Sequence, residues 1–221
     1  MSKDTNPIPK EIRFAALAVD VVCFRINEGR LEMLVGEIIS DNNKYKGQLA
    51  HIGGLIKVDE TAEQSVDRLL KDKAGLTNVY KEQLYTFSKV DRDPRGRVVS
   101  VAYLGFTNKN TSQLENTEVR TEWKSAHDSS KLAYDHNEMT KVGIERLQSK
   151  IIYTDIARHL MPEEFTLSEL QKVYEVVSGE EMDKRNFRKK MLALGILHDT
   201  KRTIKKGVMR PATLYRFKPS K

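Results

Sequence analysis

Cysteine and long apolar runs are nearly absent from this sequence of 221 residues. Its single cysteine, Cys23, excludes an internal disulfide, and the apolar neighbours of Cys23 predict a buried thiol rather than a reactive thiolate. No apolar stretch reaches the roughly 20 residues of a membrane-spanning helix, and the first residues contain no apolar signal segment. We therefore expect a cytoplasmic protein with no membrane partner. The hydrophobic content of 39% is sufficient for a packed core.

Positive charge is concentrated at the C-terminal end of the chain, whose formal net charge is +7. Residues 183–221 contain 13 Lys or Arg and 2 Asp or Glu, a net charge of +11. The preceding residues contain 25 Lys or Arg and 29 Asp or Glu, a net charge of −4. A basic segment joined to an acidic body is typical of a nucleic-acid-binding module attached to a domain of another kind.

The order of apolar and polar segments predicts two domains after a lead-in. Residues 1–12 contain two prolines and no periodicity, so we expect a mobile segment there. Residues 13–150 are predicted to form an α/β domain that begins with a strand buried on both faces, because residues 13–24 are nearly continuously apolar. Residues 151–221 are predicted to form a second domain. No Gly/Ser linker lies near Ile151, so we expect a stiff junction.

Further elements of the first domain follow from apolar patterns and turn residues. A hairpin turn is predicted at residues 27–29, strands at residues 31–38, 80–90 and 98–107, and a helix at residues 137–150. Residues 108–117 are predicted to be a polar loop. Trp123 lies in a short segment after that loop, for which no strand is predicted.

Residues 53–76 (GGLIKVDETAEQSVDRLLKDKAGL) contain a capped amphipathic helix after two glycines. Thr61 and Gln64 have the spacing of a capping box. Gly75 stands where the C-terminus of a helix favours a residue with positive φ. One apolar face is predicted by residues that recur at i, i+4 and i+8, namely Ala62, Val66 and Leu70.

This segment resembles the Nudix box, in which a glycine and a glutamate precede an arginine and further glutamates. The matching positions are Gly54, Glu60, Arg68, Gly75 and Leu76. In working Nudix enzymes the glutamates after the arginine hold a divalent metal against a pyrophosphate. Those positions here are Leu69, Asp72 and Lys73, and neither leucine nor an ammonium group can bind a cation. The resemblance therefore implies a Nudix-like scaffold with no metal site and no catalytic residues. An ordinary capped surface helix is the alternative interpretation.

Two arginines lie in the polar turn at residues 91–96. Arg92 and Arg95 either pair with the aspartates of their own turn or hold a phosphate, for which the planar guanidinium is suited. The residues alone do not decide between these two roles. His136 precedes the helix predicted at residues 137–150 and, taken alone, is a helix-start histidine rather than a ligand contact.

The last third of the chain predicts a helix, a turn, a second helix and a basic hairpin. Thr166 and Glu169 have capping-box spacing for a helix that ends near Val177, and a short helix is also predicted at residues 152–160. The second helix, at residues 184–194, has Asp183 as N-cap and Gly195 as its stop. A strand at residues 196–199, a basic loop and a strand at residues 213–217 follow. This order is typical of a winged helix-turn-helix, whose second helix enters the DNA major groove.

The basic residues of that unit predict two kinds of DNA contact. Arg185 and Asn186 are the residue types that bind guanine and adenine, and we expect Arg188 to join them in sequence readout. Cations of the hairpin suit phosphates, which position a protein without reading sequence. A basic cap that touches no nucleic acid is the alternative. The predicted DNA-binding residues are Lys184, Arg185, Asn186, Arg188, Lys189, Lys201, Arg202, Lys205, Lys206 and Arg210.

From about Arg13 to Phe217 the chain resembles the NrtR family of bacterial Nudix-related transcriptional regulators. The resemblance rests on the altered Nudix box, on DPRG at residues 93–96 followed by AYL at residues 102–104, and on Asp135 and His136. It also rests on three C-terminal segments, which are FTLSELQKVY at residues 165–174, DKRNFR at residues 183–188 and KMLALG at residues 190–195. It implies a Nudix-like α/β/α sandwich with a mixed sheet, followed by a C-terminal winged helix-turn-helix.

The family resemblance also implies a function and a set of site residues. It implies a homodimeric repressor that binds a palindromic operator before genes of NAD synthesis and salvage. ADP-ribose or a related NAD metabolite is the implied effector, and no cofactor is required. The expected ligand-binding residues are Gly53, Gly54, Glu60, Arg68, Arg92, Asp93, Arg95 and His136.

Three alternatives to this function remain open at the level of sequence. The first is an active Nudix hydrolase of nucleoside diphosphate-linked substrates that keeps Glu60 and Asp72 in use; Lys73 on the metal-binding face argues against it. The second is a DNA-binding adaptor whose Nudix-like half serves only for dimerisation. The third is a regulator of pentose utilisation with a sugar effector.

Overall fold

The computed structural model describes residues 15–41, 43–109, 119–128, 130–151, 156–205 and 211–219. The predicted lead-in at residues 1–12 lies outside the described residues, as do Lys206 and Arg210. Among the described residues, no helix has the length and apolar character needed to cross a membrane.

A mixed sheet forms the centre of the first domain. In the described ranges it contains seven strands, β1 (Ala16–Asn27), β2 (Arg30–Ile38), β3 (Leu49–Ala50), β4 (Ile52–Leu55), β5 (Tyr80–Phe87), β6 (Val98–Phe106) and β7 (Val119–Ser125). The order β3-β2-β1-β6-β5 runs across the sheet, while β4 pairs with β1 and β7 pairs with β2. Strands β1 and β6 are parallel, and the other pairs are antiparallel.

Two helices, α1 (Ala62–Ala74) and α2 (His136–Ile151), cover opposite faces of this sheet. Alternate residues of β1 face the two sides, which is why this strand is apolar along its length. Val21 packs in the cluster that includes Leu70 of α1, whereas Val22 packs in the cluster that includes Leu147 of α2. Cys23 is fully buried, and burial raises its pKa to about 12. The predicted sandwich with a mixed sheet is confirmed.

Helix α1 has the predicted ends. Thr61 accepts from the backbone N–H of Gln64, and the side chain of Gln64 accepts from the backbone N–H of Thr61. Gly75 ends the helix with φ of 65° and donates to backbone carbonyls of the last turn. These local signals fix the helix between the two glycines of β4 and the entry to β5.

The second domain has the predicted order of helices and strands. It contains a 3-10 turn (Ile156–His159), β8 (Phe165–Thr166), α3 (Leu167–Ser178), α4 (Lys184–Ala193), β9 (Leu197–Ile204) and β10 (Ala212–Phe217). Strands β8, β10 and β9 form a three-stranded sheet. Thr166 and Glu169 form the expected capping box, and Asp183 caps α4 by accepting from the backbone N–H of Asn186 at 2.8 Å.

Several elements differ from the sequence predictions. Trp123 lies in strand β7, which was not predicted because charged residues interrupt its apolar ones. Lys201 and Arg202 lie in strand β9 rather than in a basic loop, since β9 extends to Ile204 to pair with β10. Strand β8 was also not predicted. Of the helix predicted at residues 152–160, residues 156–159 form a 3-10 turn, and residues 152–155 lie outside the described ranges.

One hydrophobic core continues from the first domain into the second. It includes Phe24 and Ile151 on one side and Phe165, Leu170 and Tyr215 on the other. The ring of Tyr80 stacks on that of His159 at 4.0 Å, and the side chain of Asn108 donates to the Met161 carbonyl at 3.0 Å. The shared core agrees with the stiff junction that the sequence predicts, and the domain boundary itself stays a prediction.

Candidate functional site

A cavity of about 270 Å³ opens between β1, β4, the turn at residues 91–95 and the start of α2. Six of the predicted ligand-binding residues line it, namely Gly53, Gly54, Arg92, Asp93, Arg95 and His136. The fold therefore gathers these six residues from three separate parts of the chain around one space. Their contact with a ligand stays a prediction.

Glu60 and Arg68, the other two predicted residues, do not line this cavity. Arg68 donates to both carboxylate oxygens of Glu60, at 2.8 and 2.5 Å, and also to the Leu55 carbonyl at 3.2 Å. The hydrogen bonds from Arg68 lower the pKa of Glu60 to about 2. This ion pair braces the loop between β4 and α1, and so it acts on the cavity through the position of β4.

The two glycines of β4 are needed because other groups approach their backbone closely. A Cβ at Gly53 would lie 1.9 Å from Asp20 Oδ1, and a Cβ at Gly54 would lie 2.9 Å from Leu69 Cδ2. Real side chains do not approach this closely. Gly53 thus leaves room for the Asp20 carboxylate, and Gly54 leaves room for the leucine of α1.

The positions that depart from the Nudix box have clear structural roles. Leu69 is buried with 3% exposure in the core between α1 and the sheet. Lys73 lines the cavity, and its Nζ donates to the Gly53 carbonyl oxygen at 3.1 Å. Leucine offers no oxygen ligand and the ammonium repels a cation, so this donor set does not fit the divalent metal of Nudix enzymes. Within the described ranges, no group of three or more His, Cys, Asp or Glu residues could hold a metal ion.

Arg92 is a buried structural cation rather than part of a solvated turn. Its Nε and Nη2 donate to the two carboxylate oxygens of Asp135 at 2.9 and 2.7 Å, and Nη2 lies 3.4 Å from Asp20 Oδ2. Ser100 Oγ donates to the same Asp20 oxygen at 2.6 Å. Burial opposes the charge of Arg92, but the two carboxylates outweigh it and raise the pKa of Arg92.

Arg95 has the opposite environment. Its side chain is 60% exposed, and its guanidinium donates to both oxygens of buried Asp93, at 3.0 and 2.6 Å. Burial alone would raise the pKa of Asp93, but the hydrogen bonds from Arg95 lower it below the ordinary value. Arg95 therefore pairs with an aspartate of its own turn, as one of the two alternatives predicted. Its exposed guanidinium also lines the cavity.

Two buried histidines, His51 and His136, line the cavity. The backbone N–H of His51 donates to His136 Nδ1 at 2.9 Å, and His51 Nε2 lies 2.8 Å from Thr140 Oγ1. Burial lowers the pKa of His51 to about 3 and also lowers the pKa of His136. Neutral His136 therefore carries its proton on Nε2, which lies 3.6 Å from Asp20 Oδ1. His136 both begins α2 and lines the cavity.

Aromatic rings stand beside these polar groups. Tyr134 and Tyr45 lie with ring centroids 4.5 Å apart, and Asn43 donates to the Tyr134 hydroxyl at 3.1 Å. The guanidinium of Arg95 lies 6.0 Å from the centroid of Tyr134. The cavity thus combines cations with an aromatic face, a combination that suits a ligand with both phosphate and ring groups.

The sequence did not predict that several other residues line the cavity or hold its lining residues in place. These residues are Asp20, His51, Lys73, Tyr134 and Asp135. Asp20 did have a signal, because it is the one charged residue within the apolar run at residues 14–24. His51 pairs with residues far along the chain, and nothing in its local sequence indicates that partnership.

Helix α4 presents the predicted base-reading residues to solvent. Phe187 and Met191 are buried beneath the helix, while Lys184, Arg185, Asn186, Arg188 and Lys189 are all exposed. The apolar side fixes the helix on the domain, and the polar side is left available for another molecule.

The basic residues in the strands of the hairpin are exposed, but several of them form ion pairs with carboxylates of the same chain. Lys201 Nζ lies 3.2 Å from Asp199, and Arg202 pairs with Glu164, which Arg216 also approaches at 3.5 Å. Lys205 is exposed. Of the hairpin cations predicted to contact phosphates, Lys201, Arg202 and Lys205 lie in the described ranges, and all three are exposed.

Comparison with known proteins identifies the family. The family model for the NrtR DNA-binding winged helix domain matches residues 157–217. The ADPR responsive transcriptional repressor NtrR of Acinetobacter baylyi is 33% identical over 207 residues, covering 91% of this chain and 81% of that relative. This chain belongs to the NrtR family. The predicted membership of the NrtR family is thereby confirmed.

Some similar proteins match both domains of this chain, and others match only the first domain. NrtR of Shewanella oneidensis, in a crystal structure complexed with a 27mer DNA, is 30% identical with a TM-score of 0.79, covering 91% of this chain and 93% of that one. Its Nudix domain complexed with ADP ribose covers 64% of this chain and 94% of that one, with 30% identity and a TM-score of 0.58. An ADP-ribose pyrophosphatase of Methanocaldococcus jannaschii is 32% identical over 126 residues, covering 57% of this chain and 71% of that relative.

Proposed function

We propose that this chain is a transcriptional repressor that releases its operator when ADP-ribose or a related NAD metabolite occupies the cavity of the Nudix fold. The observation that carries the proposal is that one chain joins an exposed basic helix, α4, to a cavity lined by cations and an aromatic ring. Two kinds of partner, DNA and ADP-ribose, are also supported by the A. baylyi relative, an ADPR responsive repressor, and by the two S. oneidensis complexes. The controlled genes are those of NAD synthesis and salvage.

The cavity suits a nucleotide with two linked phosphates. Arg95 offers an exposed guanidinium, and Gly53 and Gly54 line the cavity on the side of β4. Tyr134 offers a ring face for the base or ribose. Arg92 and His136 hold the wall of the cavity, because their polar atoms are engaged with Asp135, Asp20 and the His51 backbone.

Operator binding is assigned to α4 and the hairpin. Arg185, Asn186 and Arg188 read bases, and Lys205 with the other hairpin cations contacts phosphates. The chain acts as a homodimer on a palindromic operator, with half-sites about 34 Å apart or a multiple of that distance. Sedimentation of the protein with and without a palindromic duplex tests this stoichiometry.

Hydrolysis is a second candidate activity, favoured by the likeness to the M. jannaschii pyrophosphatase. The box helix opposes it, because Leu69 is buried against Gly54 and Lys73 stands on the cavity side. We therefore expect no release of AMP above background from ADP-ribose with Mg²⁺ or Mn²⁺. Turnover near 1 per second, within the ordinary range of enzymes, would contradict a purely regulatory role.

A thermal-unfolding panel tests the effector class. ADP-ribose at about 100 times its dissociation constant is expected to stabilise the protein by about 2.7 kcal/mol. NAD, nicotinamide mononucleotide and arabinose serve as the comparison ligands. Stabilisation by arabinose alone would favour the pentose regulator, and no stabilisation by any of the four would favour the DNA-binding adaptor.

A further inference from the structure

Asp135 stands directly before α2, at the position where a helix ordinarily has its capping side chain. Its backbone carbonyl accepts from the N–H groups of Glu138 and Met139, at 3.0 and 3.2 Å. A capping aspartate accepts from the second or third amide of its own helix, as the caps of α1, α3 and α4 do here. Both carboxylate oxygens of Asp135 accept from Arg92 instead, at 2.9 and 2.7 Å. This carboxylate therefore has two alternative partners, Arg92 and the amides of α2.

The residue before Asp135 has a strained backbone. Tyr134 has a φ of 56°, in the left-handed region that bulky residues rarely adopt. Its ring lines the cavity with its centroid 4.5 Å from that of Tyr45, and its hydroxyl accepts from Asn43 at 3.1 Å. Strain of this kind persists where the surroundings impose it, and it is concentrated at ligand sites and switch regions. A ligand that contacts Tyr134 thus acts on the backbone that leads to Asp135.

The ion pair of Arg92 with Asp135 opposes an exchange of partners unless another anion is present. The two side chains are 3% and 10% exposed. Separating a buried pair leaves an uncompensated charge, which is strongly unfavourable. Arg92 lines the cavity, so a bound diphosphate would place negative charge beside its guanidinium and replace that of Asp135. Arg92 can keep its contact with Asp20 throughout.

We propose that Asp135 is the positioning residue that passes effector binding on to α2, its carboxylate exchanging Arg92 for the amides at the start of the helix. This inference rests on the proposed function, because it concerns how ADP-ribose in the same cavity releases the operator. ADP-ribose favours the form in which Asp135 caps α2, and the operator favours the form in which Asp135 holds Arg92. The change reaches the winged helix domain because Ile151, the last residue of α2, is buried in the shared core.

The first test replaces Asp135 by asparagine, which caps a helix as well as aspartate but lacks the charge that holds Arg92. Asp135→Asn is expected to adopt the capped form without effector. Its operator binding should weaken toward that of the unaltered protein saturated with ADP-ribose, a loss of about 5- to 150-fold. The effect of ADP-ribose on its operator binding should shrink to about twofold or less. Glu145→Gln is the matched control, because Glu145 is an exposed carboxylate of the same helix.

Calorimetric titration with ADP-ribose separates this exchange from damage to the cavity. A damaged cavity wall would weaken ADP-ribose binding, whereas the exchange predicts that Asp135→Asn binds ADP-ribose at least as tightly as Glu145→Gln does. Weaker binding of ADP-ribose by a folded Asp135→Asn protein, or equal coupling in the two variants, would overturn the inference and leave the proposed function intact. No effect of ADP-ribose on operator binding by the unaltered protein would overturn both.

The second test needs no substitution. Asn137 and Glu138 provide the second and third amides of α2, and both residues are exposed. Hydrogen exchange followed by NMR is expected to slow at one of these amides by about 2- to 30-fold in saturating ADP-ribose, the protection given by a cap of ordinary strength. The Glu169 amide, which already donates to Thr166 at the start of α3, is the internal reference. Unchanged exchange at both α2 amides in the ligand-saturated protein would overturn the inference.

Discussion

Arg92 and Arg95 lie three residues apart, yet their environments differ completely. The side chain of Arg92 is 3% exposed and that of Arg95 is 60% exposed. The first joins two distant carboxylates, and the second pairs with an aspartate of its own turn. Arg92 is therefore expected to matter for stability, and Arg95 for the charge presented to a ligand.

Arg92→Met is expected to destabilise the protein by about 3–5 kcal/mol, because it leaves Asp20 and Asp135 buried without their cation. Arg120→Met is the control, since Arg120 forms an exposed pair with Glu37 that contributes about 0–1 kcal/mol. Urea unfolding of both variants measures the difference. Equal losses of stability would show that Arg92 does not hold the cavity wall.

The buried histidines predict a loss of stability in mild acid. The pKa of His51 is lowered from 6.5 to about 3 in the folded state, so the unfolded chain takes up a proton first as the pH falls below 6.5. Between pH 7.5 and pH 5.5 this costs on the order of 1 kcal/mol for His51, and His136 contributes in the same direction.

Urea unfolding at the two pH values checks this expectation. His51→Gln should show a smaller loss of stability between them than the parent, whereas His198→Gln, at an exposed histidine, should behave like the parent. An unchanged pH dependence in His51→Gln would contradict the assignment.

The residues of the cavity show how far sequence reasoning reaches at this scale. Six of the eight expected ligand-binding residues line one cavity, because they belong to motifs with characteristic spacing. The pairings that hold these residues in place were not predicted, since Arg92 and Asp135 are 43 residues apart in the sequence and His51 and His136 are 85 residues apart. Pairings of that range depend on strand order, which local patterns do not specify.

Helices with end signals were predicted closely, and polar strands were not. Helices α1 and α3 have capping boxes and glycines at their ends, so local chemistry defines them. In strand β7, Val119, Thr121 and Trp123 alternate with charged residues. This is the period-2 pattern of a strand, but the high share of charged residues made the segment look like a loop. Strand β8 has two residues and exists because β10 pairs with it.

Helix α4 and the hairpin give distinct expectations for DNA binding. Arg185→Ala is expected to cost about 1–3 kcal/mol on the true operator and to relax its specificity, because Arg185 is exposed near the start of α4 and is proposed to read bases. Lys205→Ala is expected to weaken binding to all DNA similarly and to lower the salt slope by about one.

Titrations of operator and random duplex at several salt concentrations separate these effects. Lys71→Ala, on the surface of the first domain, serves as the control. Undiminished operator binding by Arg185→Ala would show that α4 is not the recognition helix.

At the scale of the whole molecule, α2 connects the cavity to the second domain. His136 lines the cavity at its first residue, and Ile151 is fully buried in the shared core at its last. The helix has 16 residues and therefore spans about 24 Å. A ligand that changes the contacts of Asp135 or His136 acts directly on one end of this helix, and the winged helix domain packs at the other.

This arrangement predicts a coupling between effector and operator. In the proposed homodimer, ADP-ribose must prefer the conformation in which the two winged helix domains do not match the operator, because only differential affinity shifts such an equilibrium. A coupling of about 1–3 kcal/mol corresponds to an effect of roughly 5- to 150-fold, and it must be the same in both directions.

The most direct measurement is a pair of titrations, operator with and without ADP-ribose, and ADP-ribose with and without operator. We expect each ligand to weaken the binding of the other by the same factor, within the range of about 5- to 150-fold. No change in either titration, at ADP-ribose concentrations that saturate the free protein, would contradict it and leave the Nudix fold as a scaffold.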